Sequence, residues 1–480
     1  MTALMVSCVV IVVAMVAAIN LAIPALEAGR LHPSSTEMLW VVDAYVLVFG
    51  CLLIPAGAAG DRFGRKGALL TGLAVFAVGC LLSAAAPSIG VLVGGRALTG
   101  LGAALVMPAT LSLLLQVTPR ERKGQAVATW TAGTGAAGVV GNVGGGVVLE
   151  YLTWPWLFVS VALLITVLGL LTAWVAPRGE RHSAALDPGG SAMLVAMVFA
   201  LLFGIIEGPS RGWGSATVLG AFAVAIAVTA AFVRHGLRRG APVLDPRVLT
   251  IPSLRIGVLG VAVTFFGLFA LFFVNAQYLQ YVKGYSPLVT GVAILPVAVT
   301  VTVVSRRSLV VAGRVGADRI VTVGLALVVV ALGLLSLVGA GTPYLAYAGI
   351  LVVAGTGLGL CLPALSTSIM VSLPARQAGM GSGLNGAARE IGSALGVAVL
   401  GTVMTSVFAD RITTADGGSI ERTLHAAAQV SPGAHAAAID DFSAAMSAGY
   451  RVVGAVVLAA ALAIGWGYRQ RASRSIEFGE

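Results

Sequence analysis

The sequence predicts an all-α polytopic membrane protein with fourteen transmembrane helices, and three observations carry that reading. Hydrophobic residues make up 58% of the 480-residue chain and charged residues only 10%, with a mean hydropathy of +0.99. A soluble chain of ordinary composition carries about 25% charged residues. Apolar runs near the length of about 20 residues that spans a hydrocarbon core fall at 4–25, 38–59, 67–86, 91–115, 125–149, 156–176, 190–207, 214–233, 254–280, 288–305, 319–339, 343–370, 383–408 and 446–468. Basic residues collect in alternate connections between them.

The first run starts almost at the N-terminus, with no charged leader and no Ala-x-Ala-like cleavage site, so it reads as a retained first helix. Between the second and third runs lies the densest charge in the chain, Gly57-Ala-Ala-Gly-Asp61-Arg62-Phe-Gly64-Arg65-Lys66-Gly67. Its glycines allow a tight turn, and Asp61 can accept hydrogen bonds from the cations beside it. Counting onward, one side receives Arg62, Arg65, Lys66, Arg120, Arg122, Lys123, Arg178, Arg181, Arg234, Arg238, Arg239, Arg247, Arg306, Arg307, Arg314, Arg319, Arg376, Arg469, Arg471 and Arg474. The other side holds Arg30, Arg211, Lys283, Arg411 and Arg422, with Arg451 at an edge. That asymmetry puts both termini in the cytoplasm and the long polar, Ala-rich stretch 409–445 outside.

An internal repeat organises the runs. Pro108, Pro119 and Gly124 recur as Pro363, Pro374 and Gly379, at a constant offset of 255. Gly313-Arg-Val-Gly-Ala-Asp318-Arg319 loosely echoes the Asp61 turn. Two related halves follow: residues 1–180 and 241–480 as six-helix halves, with 181–240 contributing two inserted helices.

Several function classes find no support. The net charge of +10 is spread over short loops, so positive-inside orientation explains it and nucleic acid is not an expected partner. Cys8, Cys51, Cys80 and Cys361 all fall inside apolar runs without metal-ligand spacing, so no metal site is expected. There is no Gly-x-x-x-x-Gly-Lys-Ser/Thr loop for a nucleotide and no convincing nucleophile–base pair, so no catalytic residues are assigned and no enzyme is expected. The five histidines lie in loops or at helix ends and receive no role.

The pattern Gly57-x-x-x-Asp61-Arg62-x-Gly64-Arg65-Lys66 resembles the signature loop of the major facilitator superfamily of secondary transporters. The six-plus-two-plus-six layout is similar to its fourteen-helix drug:proton antiporter family, the multidrug and quaternary-ammonium efflux type. Trp40-Val-Val-Asp43-Ala-Tyr45, Gly95-Arg96-Ala-Leu-Thr-Gly100-Leu-Gly102, Glu207-Gly-Pro-Ser-Arg-Gly-Trp213, Gly284-Tyr-Ser-Pro287-Leu-Val-Thr-Gly291 and Asn385-Gly-Ala-Ala-Arg389-Glu390-Ile-Gly392 carry the likeness nearly end to end. It implies the major facilitator fold, a substrate site between the halves, and a proton gradient as energy source in place of a cofactor. Two departures stand out. Gly141-Asn142-Val-Gly-Gly145-Gly146 has Asn142 where the exporters' helix-five motif has proline, and Met15 stands where helix one usually has an acid.

Charge at mid-membrane is expensive and marks functional candidates. Asp43 and Glu390 are the acids well inside a span, and Arg96 and Arg389 the cations. A carboxyl balanced between burial and a nearby guanidinium can take up a proton on one side and release it on the other. Asp43 is the expected proton carrier with Arg96 as the charge partner the resemblance implies; a static Asp–Arg pair pinning two helices is the plainer reading. Glu390 is the second candidate, against a helix–helix hydrogen bond. Gly57, Asp61, Arg62, Gly64 and Arg65 suit a cytoplasmic gate, although orientation alone would explain the arginines. The helix-five glycines permit close backbone contact and bending. Asn275 and Tyr278 share a helix face and suit a substrate cavity, whereas Tyr281 suits an interfacial belt. Asn20, Tyr45, Trp130, Asn385 and Arg389 complete the expected cavity.

The expected function is therefore a proton-coupled exporter of small amphipathic, drug-like compounds, working as a monomer in the bilayer of the cell membrane. A dedicated natural-product or self-resistance exporter is the alternative, and an uptake permease or facilitator a third. The membrane acids favour a cationic or neutral substrate, a preference that Arg389 beside Glu390 weakens.

Overall fold

In a computed structural model of the chain, the described residues are 1–27, 31, 35–177, 187–240, 242, 244–374, 377–411, 427 and 431–477. They form long helices: α1 (Thr2–Glu27), α2 (Ser35–Phe63), α3 (Arg65–Ala84), α4 (Ile89–Val117), α5 (Lys123–Tyr151), α6 (Pro155–Val175), α7 (Pro188–Arg211), α8 (Ala216–Arg238), α9 (Pro252–Gln277), α10 (Pro287–Ala293), α11 (Leu295–Val315), α12 (Ala317–Leu335), α13 (Tyr344–Val371), α14 (Ala378–Arg411) and α15 (Pro432–Glu477). Among the described residues, fourteen stretches are long and apolar enough to cross a membrane. The short α10 and α11 make one of them, and α9 continues through a π-turn at Tyr278–Val282. Helices dominate because a chain in hydrocarbon has to satisfy its backbone polar groups within each segment.

The helices pack in a repeated scheme. In the first six, α1 lies on α5, α2 and α3 on α4, and α3 on α6. Among the last, α9 lies on α14, α11 and α12 on α13, and α12 on α15. Contacts between the two sets run chiefly along α2 with α14 and α5 with α11. One apolar core is built from residues 5–176 and the other mainly from residues 254–464. Leu194, Val198 and Leu202 of α7 and Phe232 of α8 belong to the second core.

Close helix approach rests on glycine. A Cβ at Gly72 or Gly102 would come within 3 Å of the facing helix, as would one at Gly324 or Gly357. This is the small-residue packing that drives membrane-helix association where no hydrophobic gain is available.

Three helix limits differ from the hydropathy reading. α15 begins at Pro432, not near 446: Phe442, Ala445 and Met446 are buried, and Phe442 meets Tyr281 edge-on at 6.2 Å. The polar residues around Asp440 and Asp441 hide that helical start from a hydropathy window. α11 runs on to Val315 and so carries Arg306, Arg307 and Arg314. α7 runs to Arg211 and takes Glu207 into its interior.

Candidate functional site

The signature loop is smaller than its charge density suggests. α2 ends at Phe63 and α3 starts at Arg65, leaving Gly64 alone at the turn with φ 104°. L side chains rarely adopt that conformation. Asp61 and Arg65, both buried, pair at 3.2 Å across the α2–α3 junction, and Arg65 Nη1 donates to the Ser112 carbonyl of α4 at 3.2 Å. Lys66 Nζ donates to the carbonyls of Ala173 and Ala176, at 2.8 and 2.6 Å, and so caps the C-terminal end of α6. Arg62 lies against the Phe63 ring. Gly57 is buried in α2. These bonds bind α2, α3, α4 and α6 of the first half into one unit at the α2–α3 turn. Gly316, with φ 98°, repeats the turn between α11 and α12.

Asp43 and Arg96 make no direct ion pair; among the described residues Asp43 has no ion-pair or hydrogen-bond partner. The reason is the helical period. Val41 and Tyr45 face α4, and Asp43, two residues from each, points about 200° away. Arg96 is fully buried; its Nε donates to the Val41 carbonyl at 3.0 Å, and its guanidinium lies 4.8 Å from the Tyr45 ring centroid. Tyr45 in turn donates to the Val12 carbonyl at 2.9 Å. Arg96 and Tyr45 therefore belong to the interior of the first half, and Met15 is buried in the same core.

Asp43 instead faces the inserted helix α7. With Trp40, Leu47, Phe203, Ile206 and Glu207 it lines a cavity of about 10 Å³, the space of about one water. Glu207, which the hydropathy reading left at a helix end, is 5% exposed and ion-paired with Arg211. The sequence did hold a signal for it, since an acid four residues before an arginine marks a helical pair. One face of α2 further on, Gly50 meets Leu202 of α7 and Glu390 of α14; a Cβ there would lie 3.5 Å from that of Glu390. Asp43, Glu207 and Glu390 thus border the seam where α2, α7 and α14 converge. Glu390, like Asp43, is only partly buried.

The helix-five motif has two faces. Gly141 and Gly145 lie on α1: a Cβ at Gly141 would collide with the Ala14 carbonyl, and one at Gly145 would come 3.1 Å from Ala18. Asn142 and Gly146 lie on α10, beside Gly291 and Leu288 respectively. The motif therefore seats α5 against its own half on one side and against the other half on the opposite side.

Trp130 of α5 is fully buried and donates Nε1 to Thr110 at 3.2 Å. Its ring centroid lies 5.7 Å from the Arg389 guanidinium, which is also 4.3 Å from the Phe265 ring centroid. Arg389 thus lies beside a ring of each half. Asn385, one turn before it, accepts from Ser366 at 3.2 Å. Every partner described for Asn275 and Tyr278 is in the second half. Asn275 accepts a hydrogen bond from Tyr347, and Tyr278 donates to the Gly339 carbonyl at 3.0 Å and packs on Tyr347 at 5.2 Å. The side chain of Asn20 lies outside the described residues.

Two pseudo-related helical sets, closed on each other along α2–α14 and α5–α11, define a multi-pass membrane protein of the transporter class. Residues 5–397 match the Major Facilitator Superfamily. The chain belongs to that superfamily. It is 32% identical over 461 residues to "Multidrug efflux pump LfrA" of Mycolicibacterium smegmatis, covering 93% of this chain and 91% of that protein. It is also 32% identical to the "Tetracenomycin C resistance and export protein" of Streptomyces glaucescens, over 92% of this chain and 86% of the relative. Among solved structures, a bacterial homologue of the human lysosomal transporter Spinster, in an inward-facing and unoccupied conformation, superposes with TM-score 0.63 at 14% identity. That match covers 98% of this chain and 97% of the other, and shows the shared fold.

Proposed function

We propose that the protein is a proton-coupled secondary transporter that exports small amphipathic organic compounds by alternating access, with the transmembrane proton gradient as its energy source. The observation that carries the reading is the pair of partly buried, unpaired-by-arginine carboxyls, Asp43 and Glu390, at one seam of a major facilitator fold. The relatives named above, a multidrug pump and an antibiotic exporter, support export as the direction. A carboxyl inside a membrane span is costly when ionised, so its protonation is the natural event to couple to helix rearrangement. In this reading Asp43 carries the proton, Arg96 holds α2 to α4 behind it, and Glu390 is the second protonation site. The Asp61–Arg65 turn acts as a cytoplasmic gate, and Asn142 and the glycines of α5 let that helix move against α1 and α10. Residues 1–180 and 241–480 are the rocking halves, with 181–240 inserted between them.

The charge asymmetry of the loops supports cytoplasmic termini in the plasma membrane. A monomer is the simplest working unit, because the proposed path lies within one chain. A dedicated self-resistance exporter is the second reading, favoured by the similarity to the tetracenomycin C protein.

The test uses purified protein in liposomes under an imposed pH gradient, with ethidium as the probe. Wild type is expected to concentrate ethidium, and Asp43→Asn to lose uphill transport while keeping counterflow. Uphill transport unchanged in Asp43→Asn transfers the role to Glu390; a wild type that only equilibrates probes is a facilitator.

A further inference from the structure

We propose that Ser382, Asn385 and Arg389 on α14 form a subsite for an anionic oxygen carried by a flat aromatic substrate. The proposal rests on the exporter reading for its setting, but its evidence is separate. The three residues are spaced three and four apart and so share one face of the helix. All are buried, at 1%, 0% and 3% exposure. Ser382 Oγ, Asn385 Nδ2 and Arg389 Nε and Nη1 all lack a hydrogen-bond partner. Buried polar groups in native proteins are paired as a rule, and here a whole lane of them is not.

The chemistry of the lane is one-sided. Asn385 has its acceptor oxygen engaged by Ser366, which leaves its amide nitrogen to donate. Arg389 can only donate and cannot give up its charge. Glu390 makes no direct ion pair with it among the described residues, because adjacent helical residues diverge by about 100° and Glu390 lies toward Gly50. Around the donors the walls are aromatic and come from both halves: Trp130 of α5 and Phe265 of α9. The Trp130 N–H is already given to Thr110, so that side chain offers its ring. The free nitrogens of Asn385 and Arg389 only donate, and the Ser382 hydroxyl can donate as well; flanked by flat apolar faces, they are complementary to a carboxylate or phenolate oxygen on a planar ring system. The Arg389 charge disfavours a cation there. Arg96, whose Nη1 and Nη2 also lack a partner, differs in that its Nε has the Val41 carbonyl and both its neighbours belong to one half.

The experiment is equilibrium binding to the purified full chain in lipid nanodiscs, by calorimetry, with three probes of one shape: naphthoate, naphthamide and naphthylmethylammonium. Wild type is expected to bind naphthoate about tenfold or more tighter than the ammonium, with the amide between them. Arg389→Gln removes that preference, Arg389→Lys keeps part of it, and Asn385→Leu narrows it. The comparison on wild type needs no variant, and monodisperse Arg389→Lys guards against misfolding. Three results overturn the subsite: the ammonium binding as tightly as naphthoate, the preference surviving in Arg389→Gln, or no naphthoate binding at its solubility limit. The exporter reading fails separately. Naphthoate binding through Arg389 without proton-driven flux sinks proton-coupled export alone, whereas proton-driven ethidium transport in a protein indifferent to naphthoate sinks the subsite alone.

Discussion

The N-terminal and C-terminal halves carry the same joint at corresponding places and different charges beside it. Gly141 of α5 sits on the backbone of Ala14 in α1, and Gly396 of α14, 255 residues later, sits on the backbone of Phe266 in α9. Gly64 and Gly316 turn the chain alike, with φ of 104° and 98°. Yet the same offset relates Trp130 to Asn385 and Thr134 to Arg389, an apolar ring and a hydroxyl to an amide and a guanidinium. Apart from Arg65, paired with Asp61 at the α2–α3 turn, each half also buries an arginine within a span, on different helices: Arg96 inside the first half and Arg389 beside rings of both. Repeated geometry is what the fold needs in order to close and rock. Chemistry that appears in only one copy has no such structural duty, which makes it the better place to look for substrate and proton.

The largest effect tests the shared joint. A leucine at Gly141 or at Gly396 drives its side chain into a facing backbone carbonyl that cannot retreat. Overpacking of that kind, against backbone and not a flexible side chain, costs about 3 kcal/mol or more. Both variants should lose most of the monodisperse protein recovered in detergent, and by similar amounts. A Gly396→Leu protein that folds while Gly141→Leu does not would break the equivalence of the two joints.

A smaller effect separates the two arginines. Arg96→Met removes a charged hydrogen bond to Val41 and a cation over Tyr45, together worth about 2 kcal/mol. Arg389→Met removes a cation with no hydrogen bond and leaves a side chain of similar volume beside two rings, a replacement that is often neutral or stabilising. Thermal melts followed by size-exclusion fluorescence should show Arg96→Met several degrees below wild type and Arg389→Met at or above it. Equal losses would mean that Arg389 is a structural pin like Arg96.

These contrasts also mark how far the sequence could be read. Spans were legible because every membrane segment has to be apolar along its own length, and the turn at Gly64 was legible because glycine spacing and charge coincide there. The seat of the chemistry was harder. Asp43 and Arg96 look like partners when only depth in the membrane is considered; which face of α2 meets α4 is a tertiary fact, and it sends the two residues apart. Glu207 was hidden by Gly208 and Pro209, residues that read as helix breakers but here fall in the last turn of α7. Asn275 shares a face with Tyr278 as its spacing implies, yet that face turns toward Tyr347. The 255-residue offset, by contrast, was available all along and extends from the prolines to the packing glycines.

The smallest effect divides the glycines within α5 itself. Gly133, Gly141 and Gly145 touch α1, whereas Gly138 and Gly144 meet nothing within 4 Å. An alanine at Gly138 therefore meets no clash, and it removes backbone entropy from the unfolded chain and a weak helix former from the folded one. A gain of about 0.5–1 kcal/mol is expected, read as a rise in melting temperature. Uphill ethidium transport in the same variant then decides what the unpacked glycines are for. If the protein melts higher and transports as fast as wild type, Gly138 is a spectator and the working glycines of α5 are those on α1. If it melts higher and transports more slowly, α5 has to bend at Gly138 during the cycle, and the stability forgone there is the cost of that movement.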